Sequence, residues 1–134
     1  MQRRTFAVAL AALAVVSLWA QETTAKKLSP DELKALIGGS EKFFFLDVRE
    51  PKELEELGTI RGYVNIPLGE IEKRFSEVPK DTLVVVACNR AIRAAKAAAV
   101  LEKNGYKRLQ LGALAEYKEK GYELIYPKAP QKPN

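Results

Sequence analysis

T-L-V-V-V-A-C-N-R-A-I-R-A-A-K-A-A-A-V-L-E-K-N-G, residues 82–105, decides the architecture. Thr82 to Ala87 is a short, unbroken apolar run rich in β-branched valine. Such a run suits a strand buried on both faces of a sheet. Ile92 to Lys103 is rich in alanine, the best helix former, and Asn104-Gly105 ends it. Between the two lies a short loop that begins at Cys88. A buried strand, a loop and a helix in that order form half of a parallel β-α-β unit.

The alternation continues in both directions. Upstream, Phe43 to Val48 is a second apolar run that suits a buried strand, with Phe43-Phe44-Phe45 as core. Pro51 to Leu57 reads as a short acidic helix ended by Gly58. Tyr63 to Ile66 reads as a strand closed by Pro67, and Leu68 to Phe75 as helical. Pro79-Lys80-Asp81 is a turn. Further upstream, Ser29 caps a helix with Pro30 at its first position and Glu32 three residues after the cap, a capping box. That helix runs to about Ile37 and stops at Gly38-Gly39. Downstream, Lys107 to Leu111 reads as the last strand, and Gly112 opens a short helix ended by Gly121. Strands alternating with helices predict an α/β fold with a parallel sheet. At 134 residues the chain is one domain, placed at 28–125. Gln21 to Lys27 reads as polar linker. The Pro-rich end, residues 126–134, reads as a disordered tail.

Residues 1–20 form a separate unit. Met1-Gln2-Arg3-Arg4 is a basic start, and Thr5 to Ala20 is almost wholly apolar and uncharged. The run ends on a small residue, the pattern of a secretory signal peptide. It is shorter than the ~20 residues a membrane span needs. The expectation is an exported, periplasmic protein, free of the membrane once the signal is removed. The alternative is an uncleaved anchor.

Composition excludes several chemistries. The chain has one Cys and no His. There is no internal disulfide, no Ser-His-Asp triad, no Cys-His dyad and no histidine zinc site. No metal or cofactor is expected. The formal net charge of +5 comes from charges mixed along the chain, which does not argue for nucleic acid.

The lone Cys stands at the carboxyl end of the most apolar strand, where open α/β sheets bind ligands. The loop Cys88-Asn89-Arg90-Ala91-Ile92-Arg93 leads into a helix. A helix start carries unpaired N–H groups and a partial positive charge, which favour a thiolate over a thiol. Arg90, Arg93 and Lys96 add cations there. Cations at a helix N-terminus oppose its dipole, so their placement points to an anionic substrate. The bland alternative is a buried apolar Cys with solvated arginines.

Two segments together resemble rhodanese-like domains. F-L-D-V-R-E-P-K-E-L-E-E-L-G-T-I-R-G-Y-V-N-I-P-L-G-E-I, residues 45–71, is similar to their D-V-R-E-P … G-H-I-P-G-A-x-N-I-P segment. Residues 84–106 are similar to their C-x-x-G-x-R-[SA]-x-x-A-A-x-x-L-x-x-x-G-[FY] segment. The resemblance implies a five-stranded parallel sheet flanked by helices on both faces. It implies a single-domain sulfurtransferase of the thiosulfate type. A sulfane sulfur would pass from thiosulfate or polysulfide to Cys88 as a persulfide. From there it would pass to a thiol, cyanide or protein acceptor. Cys88 would be the nucleophile. The loop Asn89, Arg90, Ala91, Ile92 and Arg93 would bind substrate, its N–H groups forming an anion nest. Arg93 matches the family's loop Arg. A monomer is expected.

Three positions depart from the family pattern. Ala91 stands where Gly is usual, which strains the loop if that position needs positive φ. Thr59 replaces the frequent His after Gly58. Ala94 replaces a Ser or Thr hydroxyl. Asp47 and Arg49 read as a structural ion pair, and Glu50, Glu53, Glu55 and Glu56 as a solvated helix face. A phosphatase or arsenate-reductase loop of the related fold has C-x5-R; Cys88 to Arg93 is C-x4-R, a smaller cradle. A non-catalytic binding or sulfur-carrier module is the remaining alternative.

Overall fold

The computed structural model describes residues 23–128. The predicted signal, residues 1–20, lies outside them, as do residues 129–134 of the predicted tail. Five strands, β1 (Lys26–Lys27), β2 (Phe43–Asp47), β3 (Val64–Asn65), β4 (Leu83–Cys88) and β5 (Leu109–Ala113), form one parallel sheet in the order β1-β5-β4-β2-β3. The helices are α1 (Pro30–Gly38), α2 (Pro51–Leu57), α3 (Ile71–Arg74), α4 (Ile92–Lys103) and α5 (Leu114–Glu119). The fold is the α/β sheet that the alternation predicts.

β4 is the middle strand, and all six of its residues are buried. Its side chains alternate between two apolar layers. Val84, Val86 and Cys88 face the layer that holds α3 and α4. Val85 and Ala87 face the layer of α1 and α5. Helix α4 buries Ala94, Ala97, Ala98 and Leu101, one stripe at helical spacing. The small alanines let the helix approach β4 closely. The capping box of α1 forms as expected: Glu32 N–H donates to Ser29 Oγ, and Ser29 N–H donates to Glu32 Oε1, both at 3.1 Å.

Two elements differ by more than a residue at one end from the sequence reading and bear on the packing. Lys26–Lys27, assigned to a linker, is the edge strand β1, paired with Gln110 and Leu111. Two lysines carry no apolar signal; the ladder to β5 makes them a strand. Thr23 and Thr24 ahead of it bond to Glu102 of α4, so the described part of that segment is pinned to the domain. β5 starts two residues late and takes in Gly112, which the sequence placed at a helix start. A Cβ at Gly112 would lie 3.4 Å from Ala87 Cβ and 3.6 Å from Leu33 Cδ2. Those are ordinary packing distances, so Gly112 sits in the sheet against α1 without a steric demand for glycine. After α5 the chain returns to β2's end, where Thr59 and Ile125 exchange backbone hydrogen bonds. Tyr126, read as the start of the tail, is half exposed beside Lys118, whose Nζ lies 5.6 Å from its ring centre.

Candidate active site at the end of the central strand

Cys88 is the last residue of β4 and is 2% exposed. Its sulfur accepts the Ala94 N–H at 3.3 Å. Ala94 is the third residue of α4, and an N-cap oxygen ordinarily accepts that N–H. Here the N-cap residue, Ala91, has no side-chain acceptor. The Cys88 sulfur takes that role, so the thiol is built into the helix start. The backbone N–H groups of Asn89, Arg90, Ala91, Ile92 and Arg93 have no hydrogen-bond partner among the described residues. The loop therefore holds donors for an anion attached to the sulfur.

Ala91 reaches this geometry at φ 66°, ψ 0°, the left-handed region. It is the one non-glycine residue with positive φ among those described. That conformation costs a non-glycine residue roughly 1–2 kcal/mol. The position requires positive φ, and Ala91 accepts the strain. Ile92, next in the loop, is 68% exposed.

Two of the three cations at the helix start, Arg90 and Arg93, are paired. Arg93 makes a bidentate pair with Glu53 of α2, both contacts at 2.8 Å. Arg90 pairs with Glu119 of α5 through two contacts at 2.5 and 3.1 Å. The Arg93 guanidinium holds the Glu53 carboxyl below the usual carboxylate range, and Arg90 does the same to Glu119. The arginines read from sequence as cations at the helix start are thus each engaged in an ion pair. Glu53, read as part of a solvated face, is half-buried against the loop. Its partner lies 40 residues away in the chain, which no local pattern reveals.

Behind the loop lies a buried polar network. Asp47 and Arg49, at 0% and 1% exposure, form a two-contact ion pair at 2.7 and 3.0 Å. Arg49 also donates to the Gly58 carbonyl at 2.7 Å and to Asn89 Oδ1 at 2.9 Å. Thr59, which stands where His is frequent in the family, donates from Oγ1 to Asp47 at 2.8 Å. Asn65 Nδ2 donates to the Asp47 and Arg49 carbonyls. The expected structural pair is present, and it also touches the loop at Asn89. Asn89 is held from its backbone as well, its carbonyl accepting from Ala115 N–H at 3.0 Å.

A cleft of about 500 Å³ opens beside Asn89 and Arg90. Leu57, Leu114 and Ala115 give it an apolar lining, and Arg90, Lys118 and Glu119 give it charge. Lys118 has no carboxylate partner among the described residues. A buried thiol at a helix start, a loop of open N–H donors and an adjoining cleft define the candidate site of an α/β protein.

The chain belongs to the rhodanese-like domain family, whose model matches residues 29–119. It is 39% identical over 85 residues to the uncharacterized protein YqhL of Bacillus subtilis. That match covers 63% of this chain and 64% of YqhL, so the chain spans less than two thirds of that relative. It is 30% identical over 103 residues to a sulfurtransferase of Allochromatium vinosum, covering 75% of this chain and 95% of that protein. The crystal structure of a rhodanese-related protein from Thermoplasma volcanium superposes with a TM-score of 0.68 at 26% identity, covering 76% of this chain and 99% of that one.

Proposed function

We propose that the protein is an exported sulfurtransferase that carries a sulfane sulfur on Cys88. The observation that carries this reading is the Cys88 sulfur at the start of α4, bonded to Ala94 N–H and followed by five open N–H groups. The likeness to the Allochromatium sulfurtransferase supports the same reaction class. In the first half-reaction the Cys88 thiolate attacks the outer sulfur of thiosulfate or polysulfide. The S–S bond breaks and its electron pair leaves with sulfite or the shortened polysulfide. In the second, a thiol, cyanide or protein nucleophile takes the outer sulfur and regenerates the thiolate. Open N–H donors near the persulfide stabilise its negative charge without a His.

Intact mass after incubation with thiosulfate or polysulfide tests this. One added sulfur, removed by cyanide and absent in Cys88→Ser, is the expected result. An unloaded native thiol with both donors overturns the enzyme and leaves the binding-module alternative. Export rests on residues 1–20. The mature chain should begin near Gln21, as read by mass spectrometry of the exported fraction; a full-length chain kept in the membrane would reject cleavage.

A further inference from the structure

The cleft beside Asn89 and Arg90, which adjoins the loop that follows Cys88, contains a carboxylate that a simple anion site would not need. Glu119 is 60% exposed at its side chain, yet it takes both outer nitrogens of Arg90, which is 54% exposed. Arg93 is likewise engaged by Glu53. A small dianion arriving at the cleft meets guanidiniums already matched with carboxylates, and Lys118 is the lining cation with no carboxylate partner among the described residues. It must displace Glu119 to reach Arg90, or remain beside that negative charge. The apolar lining of Leu57, Leu114 and Ala115 offers the opposite preference, for a donor with a carbon body.

We propose that Glu119 is a specificity-determining residue, which by occupying Arg90 disfavours dianionic sulfur donors relative to monoanionic donors with an apolar body. The inference rests on the sulfurtransferase reading of Cys88. Two probes share the same chemistry and differ in charge. Thiosulfate is a dianion, and benzenethiosulfonate is a monoanion carrying a ring. With each, the Cys88 thiolate bonds to the outer sulfur. The donor's S–S bond breaks, and its electron pair leaves with sulfite or benzenesulfinate. No oxidant or reductant is needed.

The experiment measures kcat and KM for both donors in the native protein and in Glu119→Gln. The thiosulfate-to-benzenethiosulfonate ratio of kcat/KM should rise about twofold to fivefold, the scale of an exposed ion pair, through a lower thiosulfate KM. High salt should shrink the difference. Glu119→Gln combined with Arg90→Gln should cancel the rise, because the freed guanidinium is its cause. Glu41→Gln, which removes an exposed carboxylate paired with Arg108, should leave the ratio unchanged. An unchanged or reduced ratio in Glu119→Gln, with both donors loading the native thiol, overturns this inference alone. Failure of both donors to load native Cys88 overturns the sulfurtransferase reading and this inference with it.

Discussion

Arg49 donates to Asn89 Oδ1 at 2.9 Å, joining the buried end of β2 to the loop that follows Cys88. The same guanidinium is fixed by Asp47 and by the Gly58 carbonyl. Arg49 is therefore a positioning residue: it holds the loop through Asn89 and makes no hydrogen bond to Cys88. The buried pair itself is weak grounds for stability, because desolvation offsets its attraction. Breaking it is another matter, since one charge would then be stranded in the core.

Arg49→Ala should lower unfolding free energy by about 3–5 kcal/mol, because Asp47 loses its buried partner. Asn89→Ala should cost less, about 1.5–3 kcal/mol, since it loses the bond from Arg49 and only a long contact, 3.5 Å, to Glu53. Urea unfolding measures both. In Asn89→Ala the rate of sulfur loading should fall while the folded fraction stays high. Loading at the native rate in Asn89→Ala would show that the loop holds its shape without Arg49.

Ala91→Gly tests the strain in the loop. Relief of a left-handed alanine is worth roughly 1–2 kcal/mol. The added freedom of glycine in the unfolded chain offsets about 0.4–1 kcal/mol of that. A net gain of about 0.5–1 kcal/mol is expected, seen as a higher thermal midpoint. Ala91→Val should move the midpoint down, because a β-branched residue fits positive φ worse than alanine. A lower midpoint in Ala91→Gly would show that the methyl packing at this buried position outweighs the strain.

Most of the fold was legible because its signals are local. The valine run of β4, the alanine stripe of α4 and the capping box of α1 each lie within one element. Helix α4 runs from Ile92 to Lys103, as the sequence reading placed it. β1 was not legible as a strand, because Lys26 and Lys27 are defined by their ladder to β5 and not by their own character. Gly112 misled for a related reason: it is held in β5 by its ladder position opposite Ala87 and not by its own character. At the site, Cys88 and its loop stood out by position. The pairs Glu53–Arg93 and Arg90–Glu119 did not, because each joins elements far apart in the chain. An acidic helix looks the same whether one of its carboxylates faces water or a loop.

Glu53 sets an expectation for acid. Its carboxyl is held below its ordinary value of 4.5, chiefly by the Arg93 hydrogen bonds. A lowered folded value means that the pair contributes stability above the unfolded value. That contribution disappears as the pH falls from 4.5 through the folded value. For a half-buried pair it should amount to about 0.5–1 kcal/mol. Glu53→Gln should therefore be less stable at neutral pH, and the difference should close as the pH falls below 4.5 through the folded value. Unfolding midpoints across that range measure it. A constant difference at every pH would assign the loss to packing and not to the ion pair.

The Cys88 sulfur has two jobs that substitution can separate. It accepts the Ala94 N–H in place of an N-cap oxygen, and it is the atom proposed to bind sulfur. A serine hydroxyl accepts the same N–H, so Cys88→Ser should stay within about 1 kcal/mol of the native stability. Alanine cannot accept, and Cys88→Ala should lose about 0.5–2 kcal/mol, the scale of a missing N-cap. Neither variant should gain mass with thiosulfate or polysulfide. Stability would then distinguish serine from alanine while sulfur loading would not. Equal stability of the two variants would show that the Ala94 contact is incidental to the helix start. A sulfur adduct on Cys88→Ser would place the sulfur on another atom, since the chain has no second cysteine.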